Sequence, residues 1–102
     1  MRKIKVIIKA PGMVPKEMEI ENTLEAMQKI VGGYIEAVTI CEDLAIICNE
    51  DGRWKNLPWN CEICGIDFVG TIFFAGVAGD EFTDAPSMEQ LARLMPGLWG
   101  QR

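Results

Sequence analysis

Residues 66–77, IDFVGTIFFAGV, constrain the fold of this chain more than any other stretch. They are mostly apolar, rich in β-branched and aromatic side chains, with a glycine at either end of the apolar heart. Such a run reads as one mostly buried strand, which belongs inside a sheet and not at its rim.

The other elements can be placed around it. In residues 3–9, Ile4, Val6 and Ile8 alternate with Lys3, Lys5 and Lys9, the period-two pattern of a half-buried strand, with Ile7 as the exception. After Pro11, Gly12 and Pro15, Met18 and Ile20 alternate with Glu17, Glu19 and Glu21, which predicts a hairpin partner with Lys facing Glu across the pair. Asn22 followed by Glu25 has capping-box spacing; Leu24, Met27, Ile30 and Val31 then share one helical face up to Gly32 and Gly33. Residues 34–41 and 44–49 read as a second hairpin around Glu42 and Asp43, and Ser87 with Gln90 caps a last helix that ends at Pro96 and Gly97. The order β-β-α-β-β-(loop)-β-α over residues 1–102 predicts a single α+β domain, a mixed sheet with a helix packed on one face, β-grasp-like arrangements included.

Composition narrows the function. No apolar run approaches the roughly 18 residues of a membrane helix, and the Lys-interrupted start is a poor signal-peptide core, so the expectation is a cytoplasmic protein with no membrane partner. A net charge of −5 argues against direct nucleic-acid binding, because phosphate contacts need a basic face. The mean hydropathy of +0.11 is high for a small acidic domain and leaves a homodimer open.

With no histidine in the chain, Ser–His and Cys–His nucleophile pairs and histidine-ligated zinc are excluded; no phosphate-cradling glycine motif occurs either. The reading is a non-enzyme without a cofactor. The recognisable chemical motif is Cys61–Glu62–Ile63–Cys64, but it leads into Gly65 and a strand, so the helix N-terminus that commonly lowers a redox thiol's pKa is missing. If Glu42 and Asp43 form the hairpin turn, Cys41 pairs with Leu44 and Cys48 lies opposite Ala37. Four residues of strand at about 3.3 Å each separate those two thiols by roughly 13 Å, beyond the roughly 7 Å that a disulfide spans. Ordinary thiols are therefore expected, with Cys61 and Cys64 as a secondary metal or redox candidate.

The segment 49–60 stands out instead. It gathers Asn49, Arg53, Trp54, Lys55, Trp59 and Asn60 between two strands, and tryptophan and arginine are the commonest interface anchors. These six residues are the candidate binding site for another protein.

The chain also resembles a family of small domains of unknown function encoded by phages, plasmids and conjugative elements of Firmicutes gut bacteria. The resemblance rests on residues 31–36 (VGGYIE), 48–52 (CNEDG), Leu57–Pro58 with Asn60, 69–71 (VGT) and the helix lead-in at 83–90, and it covers nearly the whole chain. It implies a genetic setting: an accessory protein of a mobile element that binds a host or element-encoded protein. Two alternatives remain beside it, an acidic DNA mimic that inhibits a defence nuclease and a thiol redox or metal-binding protein acting through Cys61 and Cys64.

Overall fold

The computed structural model describes residues 2–99. Strands β1 (Lys3–Lys9) and β2 (Lys16–Glu21) form the expected antiparallel hairpin, with Lys3 opposite Glu21 and Lys5 opposite Glu19. Helix α1 (Leu24–Val31) follows and ends at Gly32 in the left-handed conformation. Its cap is Thr23, whose side chain accepts from the Ala26 N–H, while Asn22, the expected cap, instead donates its amide to the Phe82 carbonyl. Leu24 points to solvent, so the buried stripe narrows to Met27 and Val31, with Ile30 at its margin.

Strands β3 (Ile35–Cys41) and β4 (Leu44–Asn49) form the second hairpin. Cys41 stands opposite Leu44 as predicted, but a bulge between Thr39 and Cys41 absorbs one residue, so Cys48 faces Glu36 and not Ala37.

The largest departure is at 66–77, which is two strands and not one. β5 (Trp59–Ile63) and β6 (Ile66–Val69) make a separate two-stranded hairpin, and β7 (Ile72–Ala78) then enters the main sheet. The break lies at Gly70, whose φ of +73° suits a residue without Cβ; its N–H donates to the Pro58 carbonyl instead of to a ladder. A short β8 (Glu81–Thr83), helix α2 (Met88–Leu94) and a 3-10 turn (Pro96–Trp99) complete the chain. Ser87 and Gln90 form the predicted capping box on α2.

The main sheet runs β2-β1-β7-β4-β3, with β8 also on β7. Every described pairing is antiparallel, where a mixed sheet was expected. The β5–β6 excursion brings the chain back so that β7 passes between β1 and β4, opposite in direction to both. α1 covers one face, meeting Ile4, Val6, Ile20, Ala45, Ile47, Phe73 and Ala75. The β5–β6 hairpin and α2 cover the other, where Cys61, Ile63, Phe68 and Leu91 meet Ile7, Leu44, Ile46, Ile72 and Phe74. This second cover explains Ile7, the exception in the alternation of β1: it packs on the hairpin side. Lys9, expected on a solvated face, lies under the same cover and is buried. Among the described residues no helix is long and apolar enough to cross a membrane.

The strand β8 slips in beside β7 past the end of its pairing with β1. Its exit is held by the Lys5 N–H on the Asp84 carboxylate and the Ala85 N–H on the Lys5 carbonyl, both at 2.8 Å. The chain crosses Gly76 so closely that a Cβ there would run into the Asp84 carbonyl. Gly76→Ala therefore forces this backbone away. It should lower unfolding free energy by about 1–3 kcal/mol, as overpacking does, measured by urea denaturation; an unchanged midpoint would show that the crossing is looser than described.

Candidate functional site

The six residues singled out in the segment 49–60 divide into two classes. Asn49 and Asn60 are buried, whereas Arg53, Trp54, Lys55 and Trp59 are exposed. The two asparagines are thus corrected from surface contacts to internal pins, because a buried carboxamide has to spend its donors and acceptor inside the protein.

Asn49 donates to the Val31 carbonyl at the end of α1 (3.1 Å) and accepts from the Asp51 N–H (2.7 Å). It ties the start of the turn-rich segment 50–58 to the helix. Further bonds wind that segment tightly, Lys55 N–H to the Asp51 carbonyl and Leu57 N–H to the Gly52 carbonyl.

Asn60 sits at a bulge in β5, between Trp59 opposite Val69 and Cys61 opposite Phe68. A bulge re-aims a side chain, and here both Asn60 and Cys61 point inward. The Asn60 amide donates to the carbonyls of Lys9 (2.8 Å) and Gly70 (2.7 Å), and its oxygen accepts from Lys9 Nζ (2.9 Å). One side chain therefore joins β1, β5 and the β6–β7 corner, and it supplies the acceptor for the ammonium of Lys9, a residue that is only 6% exposed.

Between these pins the exposed residues form a surface. Trp54 is 89% exposed and Trp59 60%. Trp59 Nε1 donates to the Asp67 carboxylate (3.1 Å), and Arg53 Nη2 reaches the Asp67 carbonyl (2.8 Å), so Asp67 orients both. Glu62 lies directly opposite Asp67 on the outer face of the hairpin, a like-charge pair that costs stability unless a cation answers it. Beside them a groove of about 310 Å³ runs between β3 and β6, lined in part by Glu36, Val38, Arg53, Trp54, Ile66 and Phe68. Asp67, Glu36 and Ile66 were missed in the sequence. The missed signal was Cys64–Gly65, a two-residue turn between alternating runs; both residues have positive φ, the pattern of a tight hairpin.

That turn also separates the C-x-x-C thiols. Cys61 is buried against the sheet and Cys64 is exposed at the tip. Burial pushes the Cys61 thiol above its ordinary range, with the Lys9 ammonium pulling the other way, so its nucleophilic thiolate is suppressed. Among the described residues no three His, Cys, Asp or Glu side chains are grouped to hold a metal ion.

Residues 4–95 match a family described as a domain of unknown function, DUF3846. No curated protein and no solved structure matches the chain.

Two outcomes follow from these environments. Asn60→Ala leaves the buried Lys9 ammonium without its Asn60 acceptor and removes the carboxamide's bonds to the Lys9 and Gly70 carbonyls, and should cost about 3 kcal/mol or more in chemical denaturation; adding Lys9→Met should recover part of that loss, and no recovery would contradict the clamp. Cys48 is pushed from 9.0 to about 11, by burial first and then by the Glu36 carboxylate, with Arg53 opposing. Its folded form thus holds the proton more tightly than the unfolded chain, and the neutral thiol's contribution is lost as pH rises from 9.0 through about 11. The urea midpoint should fall across that window less steeply in Cys48→Ala than in the wild type; equal slopes would contradict it.

Proposed function

The chain belongs to the DUF3846 family of domains of unknown function, and from that premise we propose that it is a non-enzymatic interaction module, an accessory protein of a mobile element that binds a host or element-encoded protein through Arg53, Trp54, Lys55 and Trp59. The observation that carries this reading is the exposure of two indoles on a rigid mount: Trp54 at 89% and Trp59 at 60%, flanked by the buried pins Asn49 and Asn60. An indole held in water is unfavourable apolar surface, and its burial by a partner recovers that free energy. Because the segment is already wound by its own hydrogen bonds, little ordering entropy is lost on docking.

The charges around the indoles indicate the partner's chemistry. Glu36, Glu62 and Asp67 flank them, while Arg53 is occupied with the Asp67 carbonyl. A partner that inserts a lysine or arginine between the indoles would meet carboxylates and aromatic faces together, combining charge pairing with cation–π contact. The DNA-mimic and thiol readings have less behind them. A mimic needs carboxylates ranged like phosphates without bulky indoles among them, and the thiol reading needs Cys61 reachable, where it is buried.

The test is capture from host lysate with identification of the partner by mass spectrometry, followed by titration calorimetry on the purified pair. Trp54→Ala and Trp59→Ala should each weaken binding by about 30-fold, the consequence of losing a hot spot worth about 2 kcal/mol. Raising the salt concentration should weaken it further. A partner that binds the double variant with unchanged affinity would refute the assignment of this surface.

A further inference from the structure

The two edges of the main sheet are built differently. β2 carries Lys16, Glu17, Glu19 and Glu21 along its six residues, the charged edge that keeps other strands away. At the opposite rim β3 has one charge, Glu36, in seven residues, with no proline and β-branched residues at Ile35, Val38, Thr39 and Ile40.

The polarity of its backbone can be worked out. The Glu50 N–H donates to the Tyr34 carbonyl, and the Glu36 carbonyl faces the Cys48 thiol on β4. In an antiparallel ladder inward and outward bonding alternate, so Glu36 and Val38 bond toward β4. Ile35, Ala37 and Thr39 then turn their N–H and C=O groups outward, where no described strand meets them. The bulge between Thr39 and Cys41 ends this free segment, leaving 35–39 as five residues symmetric about Ala37.

We infer that the partner of this edge is a second copy of the chain, paired β3 to β3 in antiparallel register about Ala37. The segment is complementary to itself in that register. Ile35 meets Thr39 of the second copy, Ala37 meets Ala37, and the three outward pairs exchange all their backbone groups. The residue on the axis is small and exposed, so the strands can close. On the groove side Glu36 stands opposite Val38 of the second copy and not opposite its own counterpart, so no like charges face each other directly. The same pairing on β2 would set its many charges against one another. The resulting continuous sheet carries two indole surfaces, one from each copy. This inference uses the outward backbone groups of Ile35, Ala37 and Thr39, whereas the partner-binding reading uses Trp54 and Trp59; the Glu36 side chain on the groove side is the one group that borders both.

The experiment is sedimentation velocity of the full chain over a concentration series, with amide exchange read residue by residue. The wild type should approach twice the chain mass, and the amides of Ile35, Ala37 and Thr39 should exchange at least about tenfold more slowly in the dimer than on dilution. Ala37→Pro removes an N–H that makes no bond within one chain, as edge positions tolerate, and should give a monomer. Ala37→Asp places two carboxylates on the axis and should give the same result while keeping the circular dichroism spectrum and melting midpoint, which covers the case in which the proline variant fails to fold. Trp54→Ala should remain dimeric. A wild type that stays monomeric at the highest concentration, or an Ala37→Asp chain that still dimerises, would overturn the inference.

Discussion

The arrangement of this domain depends on the buried contact between Asn60 and Lys9. A two-stranded hairpin is marginal by itself in water, and β5–β6 pairs with no strand of the main sheet. It is held on the sheet by apolar contact through Cys61, Ile63 and Phe68 and by the directional bonds of one carboxamide. Apolar packing is non-directional and would tolerate a slide; three hydrogen bonds in a dry environment do not. The bulge that turns Asn60 inward also leaves Trp59 outward, so the geometry of the clamp and that of the exposed indole have one origin.

The same logic orders the surface around the indoles. Asn49 anchors the turn segment to the end of α1, Asn60 anchors the hairpin to β1, and Arg53 reaches from one to the other at the Asp67 backbone. Trp54 and Trp59 thus sit on two different structural units whose separation is fixed. The thiols follow the cover as well: Cys48 is inside because the hairpin roofs it, Cys61 because it lies on the hairpin's inner face, and Cys41 and Cys64 are outside because they lie at turns.

Placing β7 in the middle has a further consequence for the sheet. With a hairpin on either side of it, the outermost strands are β2 and β3, one from each hairpin. β2 lies beside a lysine-bearing strand and is charged at four of its six positions. β3 takes its inner support from the fully buried β4 and carries a side-chain pattern suited to pairing, with alternate residues leaning on the two core clusters: Val38 and Ile40 on the hairpin side, Ile35 on the helix side.

Much of the fold was legible in the chain: the β1–β2 and β3–β4 hairpins, the span of α1, its glycine stop and the capping box of α2 are all written in spacings of two to four residues. Those signals are local, and local backbone chemistry suffices to produce them. What tertiary structure decided is which faces are covered. Ile7 breaks the alternation of β1 and packs under the hairpin, Lys9 matches the polar pattern and is buried, and Asn60 falls among the candidate contact residues and is the clamp. The first two outcomes depend on a hairpin that begins about fifty residues later in the chain, the third lies in that hairpin, and its existence is masked because 66–77 reads as one mostly apolar run. Over 66–77 a strand buried on both faces and a hairpin arm followed by a central strand have the same local pattern; the turn at Cys64–Gly65 and the corner at Gly70, set by bonds to Pro58 and Asn60, distinguish them. The sequence alone therefore determined the β1–β2 and β3–β4 hairpins, the two helices and the aromatic, basic content of 49–60, while the β5–β6 hairpin and the separation of that segment into buried pins and exposed anchors came from long-range packing, which no short-range periodicity encodes.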